Sequence, residues 1–117
     1  MEVHILSVSY DRGLLKRREN LFRSQGWQVT SAIRLEEALH LCRTQVFDLV
    51  IISRFIPKSK KERFIKALRS VSTTPVLALI GPGDDTVSGA DHSLVARDKA
   101  VTLVDTVKKI LLKLPAA

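Results

Sequence analysis

The chain is 117 residues long, which fits one domain, residues 1–117, and leaves little room for a second. Hydrophobic residues make up 45% and charged residues 26%, enough to bury one core without help from metal or disulfide. Nineteen Lys and Arg stand against twelve Asp and Glu, a net charge of +7 that raises the question of an acidic partner, nucleic acid above all. Cys42 is the only cysteine, which excludes an internal disulfide and a thiolate metal cluster and makes a reducing cytoplasm the expected setting. Met1 to Tyr10 carries neither a basic leader nor a long apolar run, so no signal peptide is expected. No apolar run is long enough to cross a bilayer, and no membrane partner is expected.

The first strand is predicted at Val3-His4-Ile5-Leu6-Ser7-Val8. Leu14, Leu15, Leu21 and Phe22 then mark one face of a helix, with Lys16, Arg17, Arg18 and Glu19 expected to face water and Gly26 to stop it. Trp27 to Ala32 reads as a weaker strand. Leu35, Ala38, Leu39 and Cys42 follow the helical i, i+3, i+4, i+7 rule. Asp48-Leu49-Val50-Ile51-Ile52 is the strongest strand signal. Phe64, Ile65 and Leu68 line a third helix whose other faces hold Lys61, Arg63, Lys66 and Arg69. Pro75 to Ile80 is a fourth strand, and Ser93-Leu94-Val95 a short fifth. A last helix is predicted from about Lys99 to Lys113, capped by Asp98, with Leu103, Val104, Val107, Ile110 and Leu111 inward and Leu114 to Ala117 breaking it. Near-continuous apolar strands alternating with helices predict a parallel sheet covered on both faces, reached by right-handed crossovers.

In order and spacing these segments resemble the receiver domain of two-component response regulators over nearly the whole chain. Ile5-Leu6-Ser7-Val8 with Ser9-Tyr10-Asp11 looks like the first strand and its acidic turn. Gly26-Trp27-Gln28-Val29, Ala32 and Glu37-Ala38-Leu39 look like the second strand and helix. Phe47 to Ser53, with Ile56-Pro57 after it, looks like the strand that ends in the phosphoacceptor. Thr74 to Leu79 and Gly89-Ala90-Asp91 look like the fourth strand and the turn into the fifth. The resemblance implies a flavodoxin-like five-stranded sheet of order 2-1-3-4-5 with its site at the carboxyl ends of the strands.

The resemblance also says what that site needs: a nucleophilic carboxylate, further carboxylates for Mg²⁺, and a lysine and a hydroxyl for the phosphoryl charge. The nucleophile position falls on Ser53, the acidic pair on Ser9 and Tyr10, the hydroxyl on Ile80, the lysine on Ala96 and the switch aromatic on Ser93. No aspartate lies between Leu49 and Gly83, so sliding the register does not restore the site. Between Ile80 and Gly89 only eight residues, Gly81 to Ser88, stand where a receiver places a loop and a whole fourth helix. At about 1.5 Å per residue they cannot make a helix that spans a sheet, so the fourth helix is expected to be shortened or absent. Apolar surface of the fifth strand or last helix would then be open to a partner or a second copy.

These readings converge on a degenerate pseudo-receiver: a non-enzymatic, phosphorylation-independent signalling module in a two-component-type pathway, with no cofactor and no metal, that binds a protein partner and holds one conformation. The alternatives are a conventional response regulator in a phosphorelay and a basic nucleic-acid-binding accessory protein. The last would use Arg12, Lys16, Arg17, Arg18 and Arg23 of the first helix and the run from Arg54 to Arg69 of the third. Aromatic residues are few and not interleaved with the basic ones, which disfavours base stacking. Gly81 to Asp85 lacks the lysine and spacing of a phosphate loop, and His4, His40 and His92 lack metal-ligand spacing.

Overall fold

A computed structural model describes residues 2–96 and 100–113. Five strands, β1 (His4–Val8), β2 (Gln28–Ala32), β3 (Leu49–Ile52), β4 (Val76–Ile80) and β5 (His92–Val95), form one all-parallel sheet of order β2-β1-β3-β4-β5. The helices are α1 (Arg12–Arg23), α2 (Leu35–Thr44), α3 (Lys58–Arg69) and α4 (Ala100–Leu112). No helix among the described residues is long and apolar enough to cross a membrane.

The strands are apolar on both sides because both sides are covered. Leu6, Val8, Val50, Ile52, Val76 and Ala78 pack under α2 and α3 with Ala38, Cys42, Phe64, Ile65 and Leu68. Ile5, Leu49, Ile51, Leu77 and Leu79 pack on the other face under α1 and α4 with Phe22, Val107 and Ile110. The period of two in each strand thus separates two cores. Burial holds the Cys42 thiol above its ordinary pKa, as befits a core residue. Trp27 lies half-buried beyond the end of α1, its ring 5.9 Å from that of Phe22. His4 is held by Thr30 Oγ1 at 2.7 Å and by the edge of Phe47, a structural setting.

Between β4 and β5 there is no helix; residues 81–91 run as turns and irregular chain. The segment is pinned rather than loose. Asp84 accepts from the Gly81 amide at 2.8 Å, Val87 is buried in the core, and Glu62 accepts from the Ser88 amide at 2.6 Å. Gly89 has φ +87, and a Cβ there would meet Ile65 Cγ2 at 3.0 Å, so both backbone and packing call for glycine. Asp91 then accepts from the Val76 amide at 2.7 Å and pairs with Arg69, fixing the entry to β5.

Two expectations are corrected. Arg18 was expected to face water, but it is 8% exposed and shares the inward face of α1 with Leu15 and Phe22. Lys61 was placed on an outer face, but it is 3% exposed beside Phe64, Ile65 and Leu68. The predicted Asp98 cap, Arg97 and the breaking segment Leu114 to Ala117 lie outside the described residues. Within α4, Val104, Val107 and Ile110 are buried and Leu103 and Leu111 half-buried, as their spacing predicts.

Candidate functional site

The carboxyl ends of β1, β3, β4 and β5 bring Ser9, Ser53, Ile80 and Ala96 to one edge of the sheet. Both serines are fully buried. The Ser9 amide donates to the Ala32 carbonyl at 3.1 Å and the Ser53 amide to the Val8 carbonyl at 2.9 Å, so the three strands stay zipped to their ends. Each hydroxyl turns back onto its own loop. Ser9 Oγ accepts from the Asp11 amide at 3.1 Å and Ser53 Oγ from the Phe55 amide at 3.3 Å. Asp11, the nearest acid, is the N-cap of α1, its Oδ1 accepting from the Leu14 amide at 3.1 Å. Tyr10 points away, 42% exposed, into a groove between α2 and α3. No group of three or more acids, histidines or cysteines is arranged to hold a metal ion among the described residues.

Cations hold this edge instead. Arg54, immediately after Ser53, donates from Nη1 to the Ala96 carbonyl at 3.1 Å, and its guanidinium lies 4.7 Å from the centroid of Phe55. Because β4 lies between β3 and β5, Arg54 straps across the carboxyl end of β4. Lys61 reaches the same place from α3: its Nζ donates to the Leu79 carbonyl at 2.7 Å and lies 3.5 Å from the Arg54 carbonyl.

The backbone explains why a donor is needed there. The Val76 and Ile80 carbonyls accept from Asp91 and Ala96 on the β5 side. Leu79, out of step with both, faces β3, which has already ended at Ile52. Lys61 supplies the donor that the strand no longer does. Burial lowers its pKa, and the nearby Asp84 opposes that shift. Burial also lowers Arg18, to about 10, helped by repulsion from Arg17 and Arg54. One guanidinium nitrogen of Arg18 and the Ser7 hydroxyl are buried without a hydrogen-bond partner among the described residues.

Ile80 is buried at the end of β4, and Ser93 is exposed on β5, opposite Ala78. Beside Arg54 and Lys61 the pinned segment leaves a cleft of about 410 Å³, lined also by Ile80, Asp84 and Val87. A hollow of about 830 Å³ lies at the opposite end of the sheet, between the ends of α2 and α3, away from the edge where these residues meet. The basic residues of α1 and α3 stand on helices that cover opposite faces of the sheet. Leu94 and Val95 on β5 remain half-buried, and Leu112 on α4 is 84% exposed.

Sequence reasoning placed Ser9, Ser53, Ile80 and Ala96 at one edge but missed Arg54 and Lys61. The signal for Lys61 was present: positions 61, 64, 65 and 68 are i, i+3, i+4 and i+7, so a lysine stood in an apolar stripe.

No family model matches the chain. Transcriptional regulatory protein CpxR of Escherichia coli K12 is 32% identical over 112 residues, covering 83% of this chain. The chain spans about half the length of the curated relatives it matches, 48% for CpxR. Among solved structures, the chemotaxis response regulator CheY4 of Vibrio cholerae superposes with a TM-score of 0.83 at 24% identity, covering 94% of this chain and 99% of that one. A two-component response regulator from Clostridium difficile gives 0.84 at 21% identity, over 96% and 98%. The chain thus carries the CheY-like receiver fold of the response regulators, an assignment that the sequence likeness to CpxR supports.

Proposed function

We propose that this domain is a phosphorylation-independent receiver, a non-enzymatic cytoplasmic module of a two-component-type pathway that acts by binding a protein partner. One observation carries the reading. Of the three residues at the acidic positions, Ser9 and Ser53 are fully buried and bonded to their own loops and Tyr10 is exposed, with Arg54 and Lys61 at the edge where Mg²⁺ and a phosphoryl group would sit. Acyl-phosphate chemistry needs a carboxylate nucleophile and an anionic cradle for the metal. A buried hydroxyl bonded to its own loop supplies neither. Switching needs two states with a differential interaction at the effector site. Ile80 and Ser93 lack the side chains for it, and residues 81–91 hold no helix to move.

Millimolar Mg²⁺ is expected to leave the thermal midpoint unchanged, since only a ligand that binds the native state raises it. A small phosphodonor is expected to leave the mass unchanged, and beryllofluoride to leave the backbone NMR spectrum unchanged. Mg²⁺-dependent labelling, with shifts running from Ser53 to Ser93, would identify a conventional response regulator instead.

Ser53→Asp is expected to remain unlabelled. It places a carboxylate in a fully buried position without metal partners, and destabilises the fold by about 2 kcal/mol or more. Mass spectrometry after phosphodonor treatment, with a denaturation curve of the same variant, checks both parts. Rapid acyl-phosphate formation by this single variant would overturn the assignment of the site.

A further inference from the structure

The groove between α2 and α3 has a composition that the receiver site does not explain. Its volume is about 290 Å³, at the lower end of the roughly 300–1,000 Å³ of ligand clefts, with room for a few apolar anchors. Its floor is Leu35 and Leu39 from α2 with Phe64 and Ala67 from α3. Leu35, Leu39 and Ala67 are half-buried, so apolar surface stays open to solvent in the groove. Tyr10, 42% exposed, also lines it.

The rim is charged, and unevenly so. Lys60 and Arg63 line the α3 side, and Lys66 stands one turn on from Arg63, outside the lining; all three are exposed. None of them makes an ion pair among the described residues, where the pairs formed are Arg23–Glu19, Lys58–Asp85 and Arg69–Asp91. Glu36 is the one acid that lines the groove.

We propose that this groove docks an acidic amphipathic helix of a partner protein. Apolar anchors of that helix enter between Leu39 and Phe64, and its acids pair with Lys60, Arg63 and Lys66. The inference rests on the reading that the domain acts by binding a partner, and it names where and by what chemistry. Two helices bound the groove, and their backbone groups are already paired within them, so an added strand has no edge to join. An inserted helix with anchors at i, i+3, i+4 and i+7 matches the groove. The unpaired row of cations sets the sign of its flanks and speeds encounter.

The test is selection from a displayed library of helical peptides with random flanks, using the whole domain as target. The enriched peptides are expected to carry Glu or Asp beside an apolar stripe. Their affinity is expected to fall at least tenfold with raised salt and in the double variant Lys60→Glu/Arg63→Glu, whose exposed sites leave the fold intact. It is expected to be unchanged in Lys16→Glu, on the opposite face of the sheet. The proposal is overturned if no peptide binds saturably, if the enriched flanks are basic or neutral, or if the double reversal changes nothing. It is also overturned if oligothymidylate binds the same residues more tightly than any selected peptide. Phosphodonor labelling is scored separately: a labelled domain that still binds acidic peptides through Lys60 and Arg63 removes phosphorylation independence and leaves the groove standing.

Discussion

Lys61→Ala is expected to destabilise the domain by about 2–4 kcal/mol, the loss of a buried stem together with the only side-chain donor to the Leu79 carbonyl among the described residues. Lys61→Met keeps the stem and removes the donor and the charge. It is expected to fall between wild type and the alanine variant, because the stranded carbonyl costs about 1–3 kcal/mol while relief of the buried charge offsets part of that. Burial lowers the Lys61 pKa in the folded state, so the unfolded chain holds its proton to higher pH. Between that lowered value and the ordinary lysine value of 10.5 the unfolded state binds more protons, and stability attributable to Lys61 rises with pH. The difference between wild type and Lys61→Met should therefore widen in favour of wild type as pH climbs toward 10.5. Urea denaturation curves across that range check the sign. An unchanged or narrowing difference would mean that the ammonium, not its burial, dominates at this site.

Arg18→Met is expected to make the protein more stable, by about 1–3 kcal/mol, which for a domain of this size raises the thermal midpoint by several degrees. The reason is the position of the charge. Arg18 lies on the inward face of α1 with Leu15 and Phe22, 8% exposed, with one guanidinium nitrogen lacking a hydrogen-bond partner among the described residues. Desolvation, with repulsion from Arg17 and Arg54, lowers its pKa to about 10, so the surroundings disfavour the charged form. Methionine fills similar length with adaptable apolar atoms. Calorimetry at neutral pH reads the outcome, and a lowered midpoint would show that the guanidinium makes contacts worth more than its desolvation.

These two residues also mark where the sequence was misread. The strands were legible because β3 and β4 are continuous apolar runs, buried residue by residue. The lost helix was legible because eight residues between Ile80 and Gly89 are too few to span a sheet. The strand order was not legible from periodicity, which fixes the faces of a strand but not its neighbours; the resemblance supplied it. Arg18 and Lys61 were assigned to solvent by residue type, although both fall on the apolar spacing of their helices. Long side chains make that error easy, since the stem packs as hydrocarbon and only the tip needs a partner. The Arg54 strap had no sequence signal at all, because its acceptor, Ala96, is 42 residues away and offers only a backbone carbonyl. The groove was hidden for a similar reason, as it needs α2 and α3 to lie side by side.

The segment that replaces the helix has a use in protein engineering. It is fastened near both ends, by the Asp84–Gly81 contact at one and by buried Val87 and the Glu62–Ser88 contact at the other, while Asp85 and Thr86 between them are exposed. Extra chain inserted between Asp85 and Thr86 would leave both fastenings in place and point outward. Lengthening a flexible connection costs only about 0.6 kcal/mol for each doubling. A reporter peptide or a fluorescent domain spliced there would ride on the receiver scaffold at the edge of the sheet that carries Arg54 and Lys61, away from the far ends of α2 and α3.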